Sequence, residues 1–154
     1  ILRQDTKKGI FMASESKTQI MNAPVDKIYK VLSDYESYPD FMDGVTKVEV
    51  LTRDGNKVNA RYSLNMIKKF TYTINLVEVE NKSVEWTFDD GDIFSTNNGK
   101  WDLTDLGDGT TEVTYSIEVD IKIKMLGAGM ITKQLTKIQL PAMMKSVEKR
   151  AIEI

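Results

Sequence analysis

The residue types that most often do chemistry in proteins are the ones this chain lacks: it has no cysteine and no histidine. Disulfides, thiolate metal sites and cysteine nucleophiles are thereby excluded. So are the commonest general base, the commonest metal ligand and every histidine-containing triad. Any catalysis falls to carboxylates, tyrosine, lysine, arginine or bound water. Asp34, Asp40 and Asp43 lie close together, but their neighbours are turn and helix-end residues, which points to capping rather than acid–base work. Arg61 is a tempting catalytic cation. It is out of phase with Val58, Ala60 and Tyr62 in an alternating stretch, so it is expected to face solvent. No catalytic residue, metal ligand or cofactor is assigned.

What the sequence supplies instead is a set of alternating stretches that would line up aromatic and apolar side chains. Val58, Ala60, Tyr62, Leu64 and Met66 alternate with polar residues, as do Phe70, Tyr72, Ile74 and Leu76. Val84, Trp86 and Phe88 form a shorter run; Asn97, Gly99, Trp101 and Leu103 share one face; Val113 to Ile123 alternate over a dozen residues. Val48 and Val50 precede an Asp54-Gly55 turn, and Gly9 to Asn22 reads as a first strand, with the polar residues before Lys8 left frayed. Pro24 opens a helix carrying Val25, Ile28, Tyr29 and Leu32, and a second short helix spans Glu36 to Met42. Short turns imply antiparallel pairing, and one apolar face per strand implies a sheet solvated outside and covered inside.

Only the stretch from Ala128 to Ile152 is long enough to cover that sheet. Ile131, Leu135, Ile138 and Ala142 form one stripe, whereas Leu140, Met143, Met144, Val147 and Ala151 cluster on the opposite face, so a bend is expected near Pro141. The expected fold is α+β: a seven-stranded curved antiparallel sheet wrapped around a long C-terminal helix, with two short helices between strands one and two. Such a half-barrel leaves room between sheet and helix, a preferred place for ligands.

With 154 residues, the chain suits a single domain spanning residues 1–154, with a core from about 9 to 153. Its 21 basic and 23 acidic residues are interspersed, with a net charge of −2, so nucleic acid is not an expected partner. No apolar run approaches the ~20 residues of a membrane-spanning helix. A cytoplasmic location is expected, or a periplasmic or secreted one if a leader was removed before Ile1. The oligomeric state is not readable.

Several local sequences carry a resemblance. They are Ala23-Pro24 followed by Val25 and Ile28, the run Leu32-Ser33-Asp34-Tyr35-Glu36-Ser37-Tyr38-Pro39-Asp40-Phe41, Gly99-Lys100-Trp101-Asp102-Leu103, Asp108-Gly109-Thr110-Thr111, and Leu140-Pro141 ahead of Lys149-Arg150-Ala151. With the order of elements, they resemble the helix-grip fold of the START and polyketide-cyclase-like (SRPBCC) superfamily, in its cyclase and coenzyme-Q-binding branch, from about Gly9 to Glu153. The resemblance implies a cavity under the terminal helix for a lipid, quinone or polyketide-like molecule. It transfers no catalytic residue.

The expected cavity wall comprises Tyr62, Leu64, Tyr72, Ile74, Trp86, Phe88, Asn97, Gly99, Trp101, Tyr115 and Ile117, facing Ile131, Leu135 and Ile138. The plain alternative is that these residues fill a core. Asn97 is the best polar candidate inside, and a buried tyrosine hydroxyl could serve a ligand carbonyl. Gly127-Ala128-Gly129 could act as a flexible joint, and Met66-Ile67-Lys68-Lys69-Phe70 could touch an anionic membrane transiently. Binding or carriage of a small hydrophobic ligand is the leading reading. A cyclase or aromatase is the second, and a ribosome- or protein-interaction module the third.

Overall fold

The computed structural model describes residues 2–5, 10–122 and 127–154. In chain order the strands are β1 (Leu2–Asp5), β2 (Ile10–Met21), β3 (Val45–Asp54), β4 (Lys57–Met66), β5 (Lys68–Val79), β6 (Ser83–Gly91), β7 (Phe94–Asp105) and β8 (Thr111–Lys122). They form one antiparallel sheet in the order β1-β2-β8-β7-β6-β5-β4-β3. From β3 to β8 every neighbour in sequence is a neighbour in space. β2 then pairs with β8 along its whole length, from Ile10↔Lys122 to Met21↔Thr111. Helix α1 (Val25–Ser33) and a 3₁₀ turn at Tyr35–Asp40 lie between β2 and β3.

The seven expected strands are all present, and an eighth, β1, is added at the edge. The residues before Lys8 were expected to fray, yet Leu2–Asp5 pair with β2 from Leu2↔Ala13 to Asp5↔Ile10. A free strand edge is a row of unpaired backbone groups, so pairing there needs no apolar pattern in the added segment. Ile123, the expected last residue of the long final strand, lies outside the described residues.

Strand parity is as the alternation requires. Tyr62, Tyr72, Trp86, Trp101 and Tyr115 are buried, whereas Arg61 and Asn75 are exposed.

The gripped helix is interrupted. Helix α2 (Ala128–Lys133) runs into a π-helical turn (Gln134–Ile138), and α3 (Leu140–Glu153) follows. The Gln139 N–H bonds Gln134 O, five residues back, at 3.2 Å. Pro141 falls in the first turn of α3, where its missing N–H costs no helical bond. The expected bend is therefore a break just before proline. Its consequence for the buried stripe is also specific. One extra residue per turn rotates everything after it by about 100°. Ile131 is buried and Leu135 half-buried, but Ile138 is 53% exposed and Ala142 is exposed. Past the break, Leu140, Met144, Val147 and Ala151 are buried as expected, and α3 packs on α1.

Candidate ligand cavity

Each wall of the space beneath the gripped helix follows from strand register. Tyr62 of β4 sits opposite Tyr72 of β5, with rings stacked at 5.6 Å. Trp101 of β7 sits opposite Tyr115 of β8, with ring centroids 4.6 Å apart. Trp86 of β6 sits opposite Gly99 of β7, and here the glycine is required by space. A Cβ on Gly99 would lie 2.2 Å from Trp86 Cζ2 and 2.6 Å from the Ser116 carbonyl oxygen. The indole occupies the volume a side chain would take. Beyond this pair the β6–β7 ladder ends, and Asn98 Oδ1 takes the Phe88 N–H at 2.9 Å in its place.

These walls enclose about 120 Å³. Of the expected wall residues, Tyr62, Leu64, Tyr72, Ile74, Trp86, Asn97, Trp101, Tyr115, Ile117 and Leu135 line it together. Phe88, Gly99, Ile131 and Ile138 do not. Phe88 turns to the Phe94 ring at 6.0 Å, Gly99 is covered by Trp86, Ile131 is fully buried in packing, and Ile138 is carried outward by the π turn. Lining residues that the alternation left out include Tyr38, Met42, Asp43, Gln139, Leu140, Ala142, Met143 and Ser146. Most belong to the loop before β3 and to the start of α3, where no simple period operates. Asp43 and Ala142 are exposed while Gln139, Met143 and Ser146 are half-buried, so the cavity opens on this side.

The inner end is polar in a defined way. Asn97 is 2% exposed, and its Oδ1 accepts the Trp86 Nε1–H at 3.1 Å. Indole can only donate, so this contact fixes the amide orientation and leaves the Asn97 N–H groups free to donate. Burial pushes Tyr72 up from the ordinary tyrosine range, and the nearby Asn97 amide draws it back only in part. Burial, then the neighbouring Tyr72, pushes Tyr115 up as well. Tyr38 and Tyr62 are also raised, chiefly by burial, and the Tyr38 hydroxyl donates to the Leu32 carbonyl oxygen at 2.5 Å. All these phenols are neutral at physiological pH. Among the described residues, Asp43 is the charged side chain on the cavity wall, and it stands at the mouth.

The other candidate charges are accounted for. Asp34 sits between α1 and the 3₁₀ turn but makes no side-chain cap bond, so the expected capping is not made there. Asp40 Oδ2 lies 3.7 Å from Arg150 Nη2. Glu78 escaped notice in the sequence although it is in phase with Tyr72, Ile74 and Leu76. It is 8% exposed, takes the Tyr35 hydroxyl at 2.5 Å and is forked by Arg53 at 2.9 and 3.3 Å. This trio ties the 3₁₀ turn to β3 and β5.

A curved antiparallel sheet gripping a C-terminal helix over an aromatic cavity defines a helix-grip protein. The chain belongs to the family described as "Polyketide cyclase / dehydrase and lipid transport", whose profile matches residues 21–148. It is 25% identical over 130 residues to the ribosome association toxin RatA of Escherichia coli K12, covering 82% of this chain and 81% of that protein. Among solved structures it resembles the Zhui aromatase/cyclase of Streptomyces sp. R1128, with TM-score 0.79, 17% identity and coverage of 92% of this chain and 94% of that one. It also resembles a START superfamily protein of Mycobacterium smegmatis, with TM-score 0.76, 20% identity and coverage of 91% and 97%. At these identities the two structures speak for the fold alone. Among the described residues, no helix is long and apolar enough to cross a membrane.

Proposed function

We propose that this protein binds or carries a small hydrophobic molecule, of lipid, quinone or polyketide-like character, between the sheet and the gripped helix. The observation that carries this reading is the cavity itself: an aromatic, largely enclosed space whose inner polar groups are neutral phenols and one amide. A filled core would leave no such space, because protein interiors pack at crystal-like density. The family description, which includes lipid transport, supports the same reading.

A cyclase or aromatase fits the fold but draws less support from the site. Arg61 is outside, and phenols pushed above their ordinary range are poor general bases at neutral pH. Ribosome association is suggested by the relative's name; co-sedimentation with ribosomes, abolished by substitutions on the sheet's outer face, would favour it over carriage. Transient contact of a carrier with an anionic membrane draws support from the β4–β5 tip. There Ile67 is 60% exposed and is followed by exposed Lys68 and Lys69.

Native mass spectrometry with organic extraction tests the main reading directly. A ligand restoring contacts inside the cavity, at about a hundred times its Kd, stabilises the fold by about 2.7 kcal/mol. That corresponds to a rise in Tm of about 5–10 °C for a domain of this size, with a change in the fluorescence of Trp86 and Trp101. No shift across a broad panel, together with empty extracts, would sink the reading.

A further inference from the structure

The hydrogen-bond chain at the inner end of the cavity stops short. Trp86 Nε1–H donates to Asn97 Oδ1, and Tyr72 lines the same cavity as this pair. The Tyr72 hydroxyl meets no acceptor among the described residues. Tyr115 is 5% exposed, faces the same space, and makes no hydrogen bond to any described residue. Two phenol hydroxyls, neither bonded to a described residue, thus face one small cavity. The tyrosines here are held by packing against aromatic neighbours, which leaves their hydroxyls available to a ligand.

We infer, building on the ligand-binding reading above, that the cavity selects a neutral ring-bearing ligand whose carbonyl or ether oxygen accepts from Tyr72 and Tyr115, and rejects carboxylates. The size agrees. The cavity measures about 120 Å³, and an apolar cavity of about 150 Å³ takes up one benzene. The sign of the field agrees as well. The burial that pushes both phenols up penalises any anion placed between them. Arg53 is engaged by Glu78 and Arg61 faces out, so neither supplies a counter-charge, and Asp43 at the mouth repels an incoming anion. An unpaired carboxylate in such a place loses hydration that nothing on the cavity wall replaces.

The probes are acetophenone, ethylbenzene and benzoate, titrated at neutral pH into the whole chain and followed by amide and indole NMR shifts. Acetophenone is expected to bind at least tenfold more tightly than benzoate. Tyr72→Phe and Tyr115→Phe, which keep the ring and its packing, should each weaken acetophenone about 3–10-fold, the worth of one hydrogen bond. Ethylbenzene binding should stay unchanged in both. Benzoate binding as tightly as acetophenone overturns the inference, as does an acetophenone affinity indifferent to both substitutions. In either case the ligand-binding reading survives. If none of the three probes perturbs a cavity resonance, this inference falls, and the extraction and wider panel described above decide the ligand-binding reading separately.

Discussion

From Leu140 to Glu153 the gripped helix buries Leu140, Met144, Val147 and Ala151 in a continuous apolar stripe, with α1 packed alongside. From Ala128 to Ile138 the same element buries Ala128, Ile131 and two threonines. Thr132 and Thr136 satisfy their hydroxyls on the carbonyls of Ala128 and Thr132, each at 2.8 Å. Meanwhile Met130 and Ile138 stand 48% and 53% exposed. One half is anchored by the hydrophobic effect, and the other spends its inward positions on self-satisfied polar groups and a π turn. Leu135, the cavity-facing residue of the weaker half, therefore sits on a wall with little apolar anchorage. Regions with few buried apolar contacts open at lower free energy than the global transition, and this places the adaptable wall of the cavity on the 128–138 side.

The largest expected effect breaks the stronger half. Met144→Ala removes a fully buried side chain and should cost about 2–5 kcal/mol in urea denaturation. Ile138→Ala, at a position equally apolar in sequence, should stay within about 0.5 kcal/mol of the parent. Equal losses at the two positions would erase the contrast between the halves.

That pair of residues also shows how much of the molecule was legible beforehand. Alternation in the strands is local, so the inward phase of Tyr62, Tyr72, Trp86, Asn97, Trp101 and Tyr115 could be read directly. Helical phase accumulates, and a single inserted residue at Gln134–Ile138 shifted Ile138 off the stripe that begins at Ile131. The opening residues were hidden for a related reason. Asp43, Gln139 and Ser146 come from a loop and from either side of a break, and only the tertiary fold brings them together. Glu78 was legible by phase, since it continues the inward positions of β5. Its charge masked it, because carboxylates are almost never buried unless paired, and its partners Tyr35 and Arg53 lie on other elements. Gly99 was singled out for good reason but assigned to the wrong space: it makes room for Trp86, not for a ligand.

A second, smaller effect separates the sheet wall from the helix wall by pH. Tyr38, Tyr62, Tyr72 and Tyr115 all sit on the sheet side or in the 3₁₀ turn, and burial raises each above its unfolded value near 10. The unfolded chain releases these phenol protons as pH passes about 10, while the folded chain retains them. Unfolding is then coupled to proton release, so the stabilisation is complete below that pH and is lost above it. Each such tyrosine contributes a loss of about 1.4 kcal/mol per pH unit. Urea midpoints between pH 9 and 11.5, with phenolate absorbance followed in parallel, would show a cooperative fall. Phenols that titrate freely near pH 10 without unfolding would mean that the sheet wall is as open as the helix wall.

The smallest effect lies where the weaker half meets the sheet. Ile67, at the tip between β4 and β5, has φ +67°, a left-handed conformation that a β-branched residue adopts at a cost of about 1–3 kcal/mol. It is 60% exposed, so burial repays little of that strain. Its neighbour in space is the start of α2: a methyl placed on Gly127 would lie 3.5 Å from Ile67 Cγ2. Glycine at 67 relieves the strain and adds back about 0.5–1 kcal/mol of chain entropy in the unfolded state. Ile67→Gly should therefore raise stability by up to about 1 kcal/mol. If the tip is retained for membrane contact, the same substitution should weaken sedimentation with vesicles rich in phosphatidylserine while leaving acetophenone binding in the cavity intact. A loss of more than about 1 kcal/mol would give Ile67 a different role. It would then be a strut that holds the start of α2 against the sheet, and the 128–138 half would owe its position to the hairpin tip rather than to its own packing.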